Sequence, residues 1–291
     1  MTTGIKPFVK WVGGKRQLIC QMSKFIPNEF NTYYEPFLGA GAVFFNLLPN
    51  KAHINDMNEE LINVYKIIRN DVNNLIIQLK VHEKNNSKEY YYNIRKWDRD
   101  VFYTQRSNLE KAARFIYMNK VSYNGLYRVN KSGQFNVPYG RYTNPKIVDE
   151  TLLKNISSYL NKNEIAITSI DFEKATNLVS AGDFVYFDPP YDPINNTSSF
   201  TEYQKGGFDR DEQIRLKKVA DNLVKRGAKV ILSNSNTKFI NDLYLNKIDG
   251  AKDSVAYFII ETMNARRNIN SKGDRRGKIK EVLIISKDGQ R

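Results

Sequence analysis

Asp188-Pro189-Pro190-Tyr191 packs the most chemistry into the fewest residues of this chain. Two consecutive prolines remove two N–H donors and hold the backbone extended. The Pro189 carbonyl is then an acceptor with a fixed direction. Asp188 adds a carboxylate acceptor and Tyr191 a stacking face. An exocyclic amine on a planar base, with two N–H donors and a π surface, is the complement of these groups. Hydrogen bonds to both N–H groups draw the nitrogen lone pair out of conjugation, so that it can attack a positively charged sulfonium methyl held in line. Such a step needs no metal and no covalent enzyme intermediate, and orientation alone is worth about 7–11 kcal/mol. A rigid strand-to-loop stop also uses prolines, but it requires neither the aspartate nor the tyrosine.

Three further stretches bear on a ligand. Tyr34-Glu35-Pro36-Phe37-Leu38-Gly39-Ala40-Gly41-Ala42 reads as a strand end that opens a helix, with Gly39 and Gly41 permitting tight turns and close ligand approach. An ordinary strand-to-helix turn reads as well, and the motif is too short for a dinucleotide fingerprint. Asp56 ends the next strand, 17 residues after Gly39. An acid there can accept from two ribose hydroxyls, or it can cap the helix beginning near Asn58. Together these features point to an adenosine-containing cofactor, and the lack of a phosphate loop with Lys-Ser/Thr leans away from ATP. In Lys10-Trp11-Val12-Gly13-Gly14-Lys15, Trp11 can wall a pocket and Lys15 can meet a carboxylate; a surface turn leading into a helix is the alternative.

Other chemistries are poorly supplied. Cys20 is the single cysteine, and His53 and His82 are the two histidines, so structural zinc and histidine-based hydrolysis have few groups to draw on. No uninterrupted apolar run approaches 20 residues, so no membrane span is expected. The amino-terminal residues lack the apolar stretch of a signal peptide. The expectation is a cytoplasmic, metal-free globular protein.

Charge names a partner class. The chain carries a net +14, concentrated in two segments. Residues 84–147 hold 13 basic and 4 acidic side chains, and residues 264–280 hold 7 and 1. The remainder is nearly neutral. A neutral body with two basic segments suits a polyanion such as DNA or RNA; charge kept for solubility is the alternative. The first segment interleaves arginine with Tyr123, Asn124, Gly125, Tyr127, Phe135, Pro138, Tyr139, Gly140 and Tyr142, a composition suited to phosphate contact, base-edge contact and stacking.

The elements that must position these residues alternate. Strands are expected at Tyr33–Phe37, Ala52–Asn55, Glu164–Thr168, Phe184–Phe187, Lys229–Ser233, Ser254–Ile260 and Glu281–Ser286. Helical patterns at Lys15–Ile26 and Asp209–Lys225 lie among them, which predicts a largely parallel α/β sheet of about seven strands. Residues from about Asn58 to Leu160 break the alternation: four helical patterns (Glu59–Arg69, Val72–His82, Ser87–Trp97, Leu109–Met118) precede a turn-rich basic stretch. The expected organisation is 1–58 and 161–291 as the two parts of one domain, with 59–160 inserted.

In order and content these motifs resemble the DNA adenine-N6 methyltransferases of the Dam type, the D12 or alpha group, which includes GATC-specific enzymes of restriction–modification systems. The resemblance covers nearly the whole chain. Lys10–Lys15 looks like the family's amino-terminal cofactor motif, Glu35–Gly41 its glycine motif, Asn55–Asn58 its acidic ribose motif and Asp188–Tyr191 its catalytic motif. Tyr123–Arg128 with Phe135–Tyr142 looks like its target-recognition hairpin. The resemblance implies a Rossmann-like S-adenosylmethionine-dependent sheet with an inserted helical DNA-recognition domain carrying a β-hairpin. It implies that Trp11, Lys15, Asp56 and Asp188 contact S-adenosyl-L-methionine, and that Glu35, Phe37, Gly39, Gly41, Asp171 and Phe172 line the same pocket. It implies double-stranded DNA as partner, read by Arg128 at a guanine and by Leu126 and Pro138 at a thymine methyl, with Asn124 in the same hairpin. Tyr123 would wedge beside an extruded adenine, Tyr142 meet base edges, Arg141 hold a phosphate and Lys10 approach the outer pair. A monomer suffices for this, in a bacterial or phage setting.

The glycine motif has fewer glycines than is usual in the family, Ile170-Asp171-Phe172 replaces Gly-Asp-Phe, and 264–280 is unusually basic. Methylation of another amine (N4-cytosine or RNA) and a non-catalytic DNA-binding protein are the competing readings. Asp rather than Ser at 188 disfavours the first, and the complete set of pocket residues disfavours the second.

Overall fold

A computed structural model describes residues 4–11, 16–194, 207–248, 255–266 and 278–287. In chain order the elements are α1 (Arg16–Met22), β1 (Tyr33–Glu35), α2 (Phe44–Leu47), β2 (Lys51–Asn55), α3 (Glu59–Asn70), α4 (Val72–Lys84), α5 (Lys88–Arg95), α6 (Asn108–Val121), α7 (Glu150–Lys162), β3 (Glu164–Thr168), α8 (Phe172–Ala175), β4 (Phe184–Phe187), α9 (Arg210–Lys225), β5 (Lys229–Ser235), α10 (Lys238–Tyr244), β6 (Phe258–Arg266) and β7 (Lys278–Ser286). The strands form one sheet in the order β3-β2-β1-β4-β5-β7-β6. The described residues fall into two compact units. One is drawn from Met1–Gly14, Gly39–Asn50 and Asp56–Ser169, the other from Lys15–Leu38, Lys51–Asn55 and Ile170–Arg291. No helix among the described residues is long and apolar enough to cross a membrane.

The second unit is built on strands buried on both faces. β4, Phe-Val-Tyr-Phe, is buried at all four positions, as an apolar run without alternation predicts. Val185 and Phe187, Val230 and Leu232, Val282 and Ile284 are alternate residues of three strands. They pack in one core with Leu216, Val219, Ala220 and Leu223 of α9 and Ile240 and Leu243 of α10. β1 pairs parallel with β2 and β4, and β4 parallel with β5. The sheet is largely parallel, as expected, with an antiparallel margin: β7 runs antiparallel to both β5 and β6. β6 and β7 follow one another with no described helix between them, and adjacent strands without a crossover pair antiparallel. The expected strand Ser254–Ile260 is also displaced, since β6 begins at Phe258 and continues to Arg266. The two ends of the basic segment 264–280 are therefore strand, with Asn264 opposite Lys280 and Arg266 opposite Lys278; its middle, 267–277, lies outside the described residues.

The first unit is helical. Ser107 and Glu110 close a reciprocal capping box on α6, and that helix buries Ala112, Phe115, Ile116 and Met118. Arg114 is 2 % exposed and is compensated by Asp98 at 2.7 Å and by the carbonyls of Ile94 and Arg95, as a buried charge requires. One helix in this region lies outside the expected set. α7 occupies the end of what looks turn-rich, with Leu152, Leu153, Ile156, Tyr159 and Leu160 buried and Asp149 as its cap. The spacing and cap were present in the sequence but masked by the turn residues before them.

Candidate active site

Strand order reverses at β1 and β4. The chain proceeds from β1 to β2 and β3 on one side, and from β4 to β5 on the other. Parallel pairing of Tyr33 with Phe184 and Tyr34 with Val185 brings the carboxyl ends of β1 and β4 side by side. Open α/β sheets bind ligands at such switch points. Asp188, half-buried, is the first residue past β4, followed by a buried Pro189. The Pro190 carbonyl accepts from Gln213 Nε2 at 2.8 Å, and the Tyr191 hydroxyl donates to Glu281 Oε2 at 3.0 Å.

Beyond β1, Glu35 is buried and accepts from the Tyr33 hydroxyl at 2.7 Å. Burial, then the Glu35 carboxylate, raise the Tyr33 phenol well above its ordinary range. Phe37 packs against Phe172, Phe187 and Phe208 at ring separations of 5.4, 6.3 and 5.6 Å. Asn55, fully buried at the end of β2, donates to the carbonyls of Pro36 and Ile170 and accepts the Ile170 N–H. One amide thus ties the loop after β1 to the segment leading into α8. Asp171 caps α8 and is gripped through both oxygens by Arg215, at 3.0 and 2.7 Å. Those bonds hold its carboxyl below the usual range. The Arg215 guanidinium also lies 4.0 Å from the Phe172 ring centroid.

The first unit contributes a separate cluster. Asp56, immediately past β2, accepts the Gly39 N–H through Oδ2 at 2.8 Å and the Asn58 N–H through Oδ1 at 2.9 Å. Burial raises its pKa against the pull of these two donors. Asn58 itself caps α3, accepting from Leu61 N–H, so Asp56 is not the cap. Gly39 has φ +51°, and a Cβ there would lie 2.7 Å from Trp11 Cδ1; only glycine admits the indole so close. Trp11 stacks on Tyr127 at 5.5 Å with rings 23° from parallel. Gly41, at φ +68°, faces Tyr65, whose hydroxyl donates to the Gly39 carbonyl.

The basic, turn-rich segment from Tyr123 to Tyr142 lies in the same unit. The hairpin is held by isolated bridges at Ser122–Tyr139 and Val129–Phe135 rather than by regular strands. Asn124 and Arg141 have φ of 56° and 51°, which breaks strand geometry on both arms. Tyr123, Pro138 and Arg141 are exposed, and Leu126, Arg128 and Tyr142 half-buried. Asn119 holds the Lys10 backbone by two hydrogen bonds and also donates to the Gly125 carbonyl. Lys10 Nζ lies 5.3 Å from the Tyr142 ring centroid.

The structure therefore groups Trp11, Gly39 and Asp56; Lys10 and Tyr142; and, at neighbouring strand ends, Glu35, Phe37, Phe172 and Asp188. Lys15 lies outside the described residues. Sequence reasoning passed over Tyr127 as the partner of Trp11, Asn55 as the loop tie, and Gln213, Asn234 and Glu281 around the Asp188 loop. The usable signal was a polar residue in an apolar place. Gln213 sits on the buried stripe of α9, and Asn234 interrupts a buried strand.

The profile of the D12 class N6 adenine-specific DNA methyltransferases matches residues 11–268. The chain is 48 % identical over 282 residues to the Type II methyltransferase M1.LlaDCHI of Lactococcus lactis subsp. cremoris, covering 97 % of this chain and 95 % of that protein. It is 46 % identical over 303 residues to the Type II methyltransferase M.MjaIII of Methanocaldococcus jannaschii, covering 97 % and 99 %. It is 32 % identical over 289 residues to the DNA adenine methylase of Escherichia coli K12, covering 98 % and 96 %. On fold, on the motifs at its strand ends and on these similarities, the chain belongs to the D12 class of N6 adenine-specific DNA methyltransferases.

Proposed function

We propose that this chain methylates N6 of adenine within GATC in duplex DNA, extruding the target base and transferring the methyl group directly from S-adenosyl-L-methionine. The observation that carries the reading is the emergence of Asp188–Tyr191 from β4 at the switch point of the sheet. A paired adenine inside the duplex cannot reach a group at the end of a strand, so the base must leave the stack.

The residues present fit the cofactor. Asp56, with two of its lone pairs used by N–H groups, has acceptor capacity for ribose hydroxyls. Trp11, seated close over Gly39, and Phe37 bring aromatic rings to the proposed set. Glu35, Gly41, Asp171, Phe172 and Lys15 complete the proposed set by motif position. Bound S-adenosylmethionine supplies the electrophilic methyl carbon. The chain's own work is on the adenine: Asp188 accepts one N–H of the amine, the Pro189 carbonyl the other, and Tyr191 stacks on the ring. The engagement of the Pro190 carbonyl by Gln213 favours Pro189 as the second acceptor.

Residues 59–160 form the proposed target-recognition domain. There Arg128 reads guanine, Leu126 and Pro138 meet the thymine methyl, and Tyr123 fills the stack beside the vacated position. Asn124, Tyr142, Arg141 and Lys10 complete the contacts to base edges and phosphate. The exposure of Tyr123, Pro138 and Arg141 supports this assignment.

A radiolabel assay with tritiated S-adenosylmethionine and a GATC duplex tests the reading, with the labelled nucleoside identified by mass spectrometry. Label on N6-methyladenine is expected; label on cytosine, on RNA alone, or none with folded protein overturns it. Asp188→Ala is expected to abolish transfer while duplex binding survives.

A further inference from the structure

The loop carrying Asp188 is braced from behind by a closed set of buried amides. Gln213, on the first turn of α9, donates Nε2–H to the Pro190 carbonyl at 2.8 Å. Its Oε1 accepts from Asn234 Nδ2 at 3.0 Å. Asn234, in β5, accepts the Asp192 N–H at 3.0 Å and the Ser235 N–H at 2.8 Å through the same oxygen. Gln213, Asn234 and Asp192 are 1 %, 0 % and 2 % exposed. Asp192 is tethered in turn through Oδ1 to Arg210 Nε at 3.1 Å. Ser235 stands opposite Glu281 in the β5–β7 ladder, and Glu281 holds the Tyr191 hydroxyl.

The pattern has a geometric consequence. The Pro190 carbonyl and the Asp192 N–H belong to the two peptide groups that flank Tyr191. Fixing both fixes φ and ψ of Tyr191. At Pro190 the ring already sets φ, and the Gln213 bond sets ψ through the carbonyl. The direction of the preceding Pro189 carbonyl is thereby determined by a side chain of the following helix, α9. Burying two neutral amides without full pairing is costly, and core stability alone would be served by apolar residues at both positions. The amides provide directionality, which apolar packing cannot.

We infer that Gln213 and Asn234 are positioning residues for methyl transfer, holding the Pro190 carbonyl and the Asp192 N–H so that Asp188 and the Pro189 carbonyl face the adenine amine. This rests on the reaction proposed above.

The test uses the full chain and single-turnover transfer of tritiated methyl groups to a GATC duplex. Gln213→Glu keeps the side-chain shape and the acceptor for Asn234 but replaces the donor facing the Pro190 carbonyl with an oxygen. The single-turnover rate is expected to fall about 10- to 100-fold, the scale of a small misplacement of reacting groups. The Kd for S-adenosylmethionine by calorimetry and for the duplex by anisotropy should stay within about threefold of wild type. Melting curves establish that the variant is folded. Should it not fold, Asn234→Asp gives the same test from the other end, since it keeps the oxygen for Asp192 and Ser235 and loses the donor to Gln213. A folded variant whose rate stays within about twofold of wild type overturns the inference, as does a rate loss matched by equal losses in both affinities. Absence of label with the wild-type chain would instead refute the proposed reaction.

Discussion

Arg128 and Asn136 hold one another across the basic hairpin segment. The arginine donates Nε–H to Asn136 Oδ1 at 2.7 Å, and the asparagine donates its backbone N–H to the Arg128 carbonyl at 3.0 Å. The first bond fixes the plane of the guanidinium, whose remaining edge is the fork that suits the O6 and N7 of guanine. Arg128→Ala is expected to cost about 1–3 kcal/mol of discrimination between GATC and a duplex altered at the guanine. Asn136→Ala, which frees the plane but leaves the charge, should cost about 0.5–1.5 kcal/mol. Anisotropy titrations on both duplexes at one salt concentration decide it. Equal weakening on both would make Arg128 a phosphate contact.

Asp56 couples the proposed ribose site to the glycine turn, because one carboxylate serves both. Asp56→Asn preserves size, yet an amide cannot accept at both positions where Gly39 and Asn58 donate. Affinity for S-adenosylmethionine should fall about tenfold or more, and stability by about 1–3 kcal/mol for the unsatisfied N–H. Calorimetry and urea denaturation measure the two separately. Unchanged cofactor affinity in a destabilised protein would confine Asp56 to a structural role.

Acid should weaken the helical unit through His82. The imidazole is 3 % exposed, stacked 4.9 Å from the Tyr117 ring, with Nδ1 2.8 Å from the Tyr90 hydroxyl. Burial lowers its pKa from 6.5 to about 4. The folded state then binds fewer protons than the unfolded state between those values. Stability is fully present above pH 6.5 and is lost as pH falls toward 4. By linkage the loss between pH 7 and 4.5 is about 2.5 kcal/mol from this residue. His82→Phe should flatten that part of the stability curve, measured by urea unfolding at both pH values. An unchanged slope would mean that other groups carry the acid sensitivity.

Much of this was legible in the residues, and the parts that were not share a cause. β3 and β4 match the expected ranges residue for residue, because short apolar runs between turn residues have few other interpretations. The Asp188–Tyr191 tetrapeptide announces itself, since proline restricts local geometry whatever surrounds it. β7 lying antiparallel between β5 and β6 was not readable, because strand order depends on pairing far apart in sequence. The supports of the site were hidden for the same reason. Asn55 reaches Ile170 across 115 positions, and Tyr191 reaches Glu281 across 90. Local pattern reveals which groups can do chemistry; the partners that aim them are set by tertiary contact.

Asn55 provides the sharpest test of that division. Its amide makes three bonds, with Nδ2 to the Pro36 and Ile170 carbonyls at 3.0 and 2.9 Å and Oδ1 to the Ile170 N–H at 3.0 Å. Asn55→Leu keeps the branched outline of the side chain, though with larger volume, and leaves these backbone groups buried without their partner. A loss of about 3 kcal/mol is expected, the upper part of the range for breaking a buried network. Asn55→Asp keeps the acceptor for Ile170 N–H but sets a carboxylate against two carbonyl oxygens. At pH 8 it should be at least as damaging, although it differs from the native residue by a single atom type. Urea denaturation of the two variants separates the readings. A leucine variant within about 0.5 kcal/mol of wild type would mean that packing, not the directed amide, holds the Pro36 loop to the Ile170 segment.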